Sequence, residues 1–379
     1  MNKQLLTLTL LLIPILATAQ HPKALGPLYS FSLTAGSTIP NSSSEKHILS
    51  SEIGAEFTLE WQMHAINYWT QFWNQPRFGI QLTYLHSAKA IAGHRLGIAA
   101  TMRNPIWKST KTQTSLTPPP GSSEIYWLMD AGLSLFTNPY ERSHDATNQY
   151  IGSYLNCLFN IGLGYTLTLH DYSALSIEAK FGHSSNGYTL KPNKGLNYLL
   201  ATVAYRLPRH NHDKQATQMP QPYNRRLRSH LLYVSYAPGV VQSRYPSPTK
   251  DYYYAFTAQI GHLYYPNQCI GFGANLDIMY NYSHTEIMIQ TYHKPATLPY
   301  LGLCANFEPR WGPMSVRLGI GYYLRKQPTI TIPLYERLGI YFHFGHTFSQ
   351  FVGISIKAHA AHADYIEFHF GLALRTKQH

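Results

Sequence analysis

The chain has 379 residues, of which 13% are charged and 14% aromatic, and it carries a formal net charge of +12. Beyond the amino terminus no stretch reaches the roughly 20 continuous apolar residues that a membrane helix needs, which excludes a helical membrane protein. The excess of Lys and Arg asks for an acidic partner.

The amino terminus has the form of a secretory signal peptide over residues 1–19. Lys3 supplies the positive charge, Leu5 to Leu16 a short apolar run, and Ala17-Thr18-Ala19 a small-residue cleavage site before Gln20. No cysteine follows that site, so no lipoprotein anchor is expected. For an exported chain without a recognisable nucleic-acid motif, the acidic partner is not DNA or RNA. Phosphorylated lipid such as lipopolysaccharide fits better.

Period-2 patterning then dominates. Tyr29, Phe31, Leu33 and Ala35 alternate with Ser30, Ser32 and Thr34, and Phe78, Ile80, Leu82 and Tyr84 alternate with Gly79, Gln81 and Thr83. Similar segments begin near Glu52, Gly93, Glu124, Ser153, Ser173 and Gly195, which predicts about eight strands in residues 20–207. Residues 208–228 break the pattern with Pro208, Pro220, Pro222 and the cluster Arg225, Arg226, Arg228, and read as a basic polar linker. Strands resume over residues 229–379, starting near Ser229, Tyr252, Ile270, Leu298, Met314, Tyr335, Gln350 and Asp364.

The 30 Tyr, 16 Phe, 6 Trp and 26 Gly fit a membrane barrel with aromatic girdles. The fold class is therefore all-β, an antiparallel transmembrane β-barrel. Two architectures fit: two tandem eight-stranded repeats, which the linker favours, or one barrel of about sixteen strands with an aqueous lumen. Leu175–His183 can be laid on Ile354–His362, and Tyr154–Leu158 falls near Tyr335–Gly339 at comparable spacing, which suggests an internal duplication. Cys157, Cys269 and Cys304 are odd in number and widely spaced, and the 20 His are scattered, so neither a disulfide framework nor a metal site is expected.

The chemistry concentrates in His183-Ser184-Ser185-Asn186-Gly187 and Pro192-Asn193-Lys194-Gly195. In the strand entering this run, Leu175, Ile177, Ala179 and Phe181 share one face, and Ser176, Glu178 and Lys180 the other. Bare charge facing lipid is costly, so the polar row belongs in the lumen. The apolar row, which continues into His183 and Ser185, looks at the bilayer. Asn197 shares its face with Leu199, Ala201 and Val203 on the next strand. His183, Ser185 and Asn197 thus converge on the outside of the barrel at one strand–loop–strand corner. Residues two apart on a strand lie roughly 6.6 Å apart, within reach of a bending imidazole. A serine needs such a base to become a nucleophile. Asn186, Asn193 and loop N–H groups are candidates for the oxyanion region, and Gly187 and Gly195 let backbone come close. Asn-Gly and Pro-Asn-x-Gly are also ordinary turn chemistry.

The pattern His-x-Ser-Asn, five residues, then Pro-Asn-x-Gly at such a corner resembles the outer-membrane lipid A 3-O-deacylases of the PagL type, related to bacterial acyloxyacyl hydrolases. The resemblance covers about residues 173–207. It implies an eight-stranded outer-membrane barrel that hydrolyses an ester-linked 3-hydroxyacyl chain of lipid A without a cofactor. It casts Ser185 as nucleophile, His183 as base, and Asn186, Gly187 and Asn193 as oxyanion or loop support. The family's acidic orienter falls at Asn197, which can accept a hydrogen bond from imidazole but brings no charge.

In the second half His362 aligns with His183 and shares its lipid-facing row, but Asp364 stands where serine would be. That repeat is expected to carry a degenerate site and to serve as scaffold, oligomer contact or substrate grip. A homodimer is compatible with this reading. The alternative function is a non-catalytic structural or pore-forming outer-membrane barrel.

Overall fold

The computed structural model describes residues 27–41, 43–63, 67–89, 93–109, 118–141, 148–208, 228–242, 252–284, 288–289, 293, 299–326, 330–345, 348–360 and 362–378. The signal peptide expected over residues 1–19 and nearly all of the linker over 208–228 lie outside these residues.

The first half forms β1 (Leu28–Ile39), β2 (Ser51–Gln62), β3 (Arg77–Ser87), β4 (His94–Lys108), β5 (Ser123–Phe136), β6 (Leu155–Thr168), β7 (Ala174–Ser185) and β8 (Leu196–Arg206). Each strand pairs with its sequence neighbour, and β8 returns to β1, so the sheet closes into an eight-stranded antiparallel barrel. Closure leaves no unpaired edge. Pro105, which lacks an N–H for the ladder, sits at a register shift between β4 and β5.

The second half forms β9 (Arg228–Gln242), β10 (Tyr252–Tyr265), β11 (Ile270–Asn281), β12 (Tyr300–Trp311), β13 (Met314–Arg325), β14 (Leu334–Phe344), β15 (Gln350–His359) and β16 (His362–Gln378). They close separately through β16 and β9. The chain is thus two tandem barrels of eight strands, and the single barrel of about sixteen is set aside.

Alternation sorts the side chains of each barrel. On β7, Ile177 is 60% exposed while Glu178 and Lys180 are 6% and 1% exposed. On β8, Leu199 and Val203 stand out while Thr202 and Arg206 are buried. The exteriors carry Leu33, Leu82, Leu163, Leu318, Ile320 and Leu374 among their exposed residues, an apolar surface wider than water tolerates and suited to hydrocarbon.

The lumen of the first barrel is crossed by ion pairs. Arg103 on β4 meets Glu178 on β7 at 2.8 Å and Glu60 on β2 at 3.2 Å. Lys180 meets Glu56 at 2.7 Å, and Arg77 pairs with Glu124. Tyr126 donates its hydroxyl to Glu178 over 2.9 Å. The second barrel is filled alike: Arg337 pairs with Asp277 at 2.9 Å and Glu367 at 2.7 Å, and Lys357 with Asp364 at 2.8 Å. Eight strands enclose a space that side chains can fill, and among the described residues paired charge occupies it.

One expectation is corrected in the second barrel. β15 ends at His359, a tight turn containing Ala360 at φ 49° follows, and His362 opens β16 opposite His359. His362 therefore does not continue the outward row of β15 as His183 continues that of β7. Asp364 turns inward to Lys357.

Candidate active site

The site is built at the β7–β8 corner of the first barrel. The register sets His183 directly across from Asn197 and Ser185 across from Cys157 on β6. Directly opposed residues have Cβ atoms about 5 Å apart, close enough for side chains to meet. His183 Nδ1 and Asn197 Oδ1 lie 2.7 Å apart. Asn has no other acceptor to offer, so the imidazole donates from Nδ1 and leaves a lone pair on Nε2.

Ser185 follows His183 on the same outward row and is 5% exposed. Among the described residues it makes no hydrogen bond to His183. Nucleophile–base contacts are often loose until substrate binds. Ser184, between them, faces the lumen and accepts a hydrogen bond from Arg95 over 3.4 Å. Among the described residues no carboxylate pairs with His183, so Asn197 is its side-chain partner.

The connecting loop is tied from within. Asn186 N–H donates to Asn193 Oδ1 over 3.1 Å, and Asn186 Nδ2 donates to Ser153 Oγ over 3.1 Å. The two asparagines thus bind the turn and its neighbour. Gly187 has φ 61°, a conformation that glycine adopts without penalty. Lys194 and Gly195 donate their N–H groups to the carbonyls of Gln149 and Tyr150 over 3.2 and 3.0 Å. Burial and the nearby Glu45 carboxylate push the Tyr150 phenol up to about 12, so it stays protonated beside the loop.

Gly195 shapes the space around His183 directly. It has φ 73°, and a Cβ there would lie 2.6 Å from His183 Cε1 and 3.1 Å from Nε2. We expect Gly195→Ala to displace the His183 ring, seen as a shift of its imidazole resonances. Gly121→Ala is the control, because Gly121 shares the positive φ, at 79°, yet has open space around its Cβ position. Equal His183 resonances in the two variants would refute the steric account.

Sequence reasoning missed Asn41. Its Oδ1 accepts from Asn197 Nδ2 over 2.5 Å, and its Nδ2 donates to the Lys194 carbonyl over 3.4 Å. Nothing local marks it, since it enters only when β1 pairs with β8 and sets Ile39 opposite Asn197. Ser153 was missed likewise, since it meets Asn186 only when β6 pairs with β7.

A serine–histidine–acid grouping also occurs in the second barrel, facing inward. Ser355 Oγ lies 2.8 Å from His369 Nε2 and donates to Glu367 over 2.7 Å. All three are at most 3% exposed. It belongs to the lumen packing.

Comparison with known proteins adds to this geometry. Residues 54–206 match the family model described as lipid A 3-O-deacylase (PagL). Residues 229–376 match the one described as acyloxyacyl hydrolase, C-terminal domain. Among solved structures, the chain is similar to the outer membrane enzyme PagL at 17% identity, with 47% of this chain and 99% of that one covered and a TM-score of 0.30. It is also similar to a triple mutant of the Rhodopseudomonas blastica porin at 8% identity, with 92% and 99% covered and a TM-score of 0.18. No curated protein matches. The first barrel carries the deacylase match and the second the hydrolase C-terminal match, and the chain belongs to the PagL lipid A 3-O-deacylase and acyloxyacyl hydrolase family.

Proposed function

We propose that the first barrel hydrolyses an ester-linked 3-hydroxyacyl chain of lipid A in the outer membrane of a Gram-negative bacterium. Residues 1–19 would be the leader removed on export. With the amino terminus in the periplasm, β7 runs outward and the β7–β8 corner lies in the outer leaflet, where lipopolysaccharide resides. The observation that carries the reading is the His183–Asn197 bond on the outward face, two residues before Ser185, which leaves a lone pair on Nε2.

In this reading Ser185 Oγ attacks the ester carbonyl while His183 Nε2 takes its proton. The tetrahedral oxyanion is held by donors of the 186–195 loop. It collapses as His183 returns the proton to the sugar oxygen, and the acyl group stays on Ser185. Water, deprotonated by His183, then attacks the acyl-serine, and His183 returns the proton to Ser185 Oγ as the hydroxy acid leaves. Asn197 keeps Nδ1 protonated throughout. It provides orientation and no charge, the role an asparagine fills in Cys-His-Asn hydrolases.

Expression in a host with unmodified lipid A should shift the lipid A mass spectrum by one hydroxyacyl chain. Unchanged spectra with the protein inserted in the outer membrane would overturn the proposal. Asn197→Asp adds the missing charge next to the imidazolium. Charged hydrogen bonds exceed neutral ones by about 1–1.5 kcal/mol, so turnover should rise about tenfold. A rate that stays level or falls in single-turnover assays would show that orientation alone limits this enzyme.

A further inference from the structure

We infer that Asn41 is a positioning residue that fixes the Asn197 amide with its oxygen toward His183, which holds the base in the productive tautomer. The inference rests on the deacylase reading above and deepens it.

An asparagine beside a histidine is ambiguous. Its amide can present Oδ1, which selects Nδ1–H and leaves Nε2 basic, or Nδ2, which selects Nε2–H and removes the base from the Ser185 side. The two orientations have nearly the same shape, so only further hydrogen bonds can choose between them. Here three groups in series make the choice. The Lys194 main-chain carbonyl is an acceptor only and takes a hydrogen bond from Asn41 Nδ2 over 3.4 Å. That turns Asn41 Oδ1 toward Asn197, where it accepts from Nδ2 over 2.5 Å. Asn197 is thereby left with Oδ1 facing His183 Nδ1 at 2.7 Å. Each link sets the polarity of the next, and the chain starts at a group whose polarity cannot change.

The carbonyl that starts the relay belongs to the loop that shapes the base. Lys194 and Gly195 are pinned to Gln149 and Tyr150, and Gly195 leaves room for the imidazole. One loop therefore sets both the position of the ring and the location of its proton. A carboxylate at position 197 has two acceptor oxygens and would need no such device. Asparagine does.

The test uses the full-length protein folded in detergent micelles, with folding checked by heat-modifiable migration. The imidazole ¹⁵N shifts of His183, assigned by their loss in His183→Gln, report the tautomer, and purified lipid A reports kcat and KM. Asn41→Ala removes one neutral hydrogen bond and should lower kcat about fivefold with KM unchanged, with the Nε2–H tautomer appearing. Asn41→Asp keeps an acceptor toward Asn197 and should retain both rate and tautomer. Asn41→Lys presents a donor instead, turns the amide over, and should lower kcat by about 10²-fold or more with the ring in the Nε2–H form. Wild-type rate and an unchanged Nδ1–H tautomer in Asn41→Ala and Asn41→Lys would overturn the inference. A tautomer that follows residue 41 in a protein that leaves lipid A intact would support the relay and overturn the deacylase reading alone.

Discussion

Ser185→Ala is expected to leave lipid A intact, with a fall in turnover on the order of 10⁶-fold. Removal of the nucleophile from a serine–histidine unit eliminates the acyl-enzyme route, and what survives comes from binding and the oxyanion donors. His183→Ala should fall as far. The double variant should be no worse than either single one, because residues that act as a unit are not additive. Ser184→Ala is the matching control: Ser184 is fully buried in the lumen and bonds Arg95, so its loss should leave the mass shift in place. If Ser184→Ala abolished the shift and Ser185→Ala did not, the nucleophile would be misassigned and the facing of the whole strand with it.

Arg103→Ala should destabilise the first barrel by about 3–5 kcal/mol, the cost of leaving buried charge without its partner. Arg103 reaches Glu178 and Glu60 across the lumen, so truncation leaves the two carboxylates with only the longer pairs to Lys180 and Arg77, both at 3.6 Å. Lys194→Ala provides the contrast. Its pair with Glu45 involves a side chain 46% exposed, and such pairs contribute about 0–1 kcal/mol. Urea midpoints of the refolded variants in detergent, compared at equal slope, measure the difference. An Arg103→Ala midpoint as close to wild type as that of Lys194→Ala would mean that water enters the lumen and solvates the carboxylates.

The strands were legible because each has one face in hydrocarbon and one in a polar lumen, so period 2 survives undiluted along all of them. Leu175 to Ser185 shows it well: inward Glu178 and Lys180 find partners across the barrel, and outward Ile177 and Phe181 find none. The same counting placed His183 and Asn197 together, since one hairpin supplies both. It failed where the chain turns without a turn residue. His359-Ala360 carries no Gly, Pro or Asn, and Ala360 nonetheless takes a positive φ, so β15 was read through the turn and His362 was put on the wrong strand. Asn41 was invisible for a different reason. It stands 156 residues from Asn197, and only the pairing of first strand with last makes them neighbours.

That seam has a consequence for when the His183 surroundings are complete. Ile39 meets Asn197 across the β1–β8 junction, and Asn41 reaches Asn197 from just beyond it. A half-assembled sheet already holds His183 and Ser185 side by side on one strand, yet lacks the group that tells Asn197 which way to face. The ladder that closes the cylinder is the one that brings Asn41 to Asn197. Without β1 paired to β8, Asn197 has no Asn41 oxygen to accept from its amide.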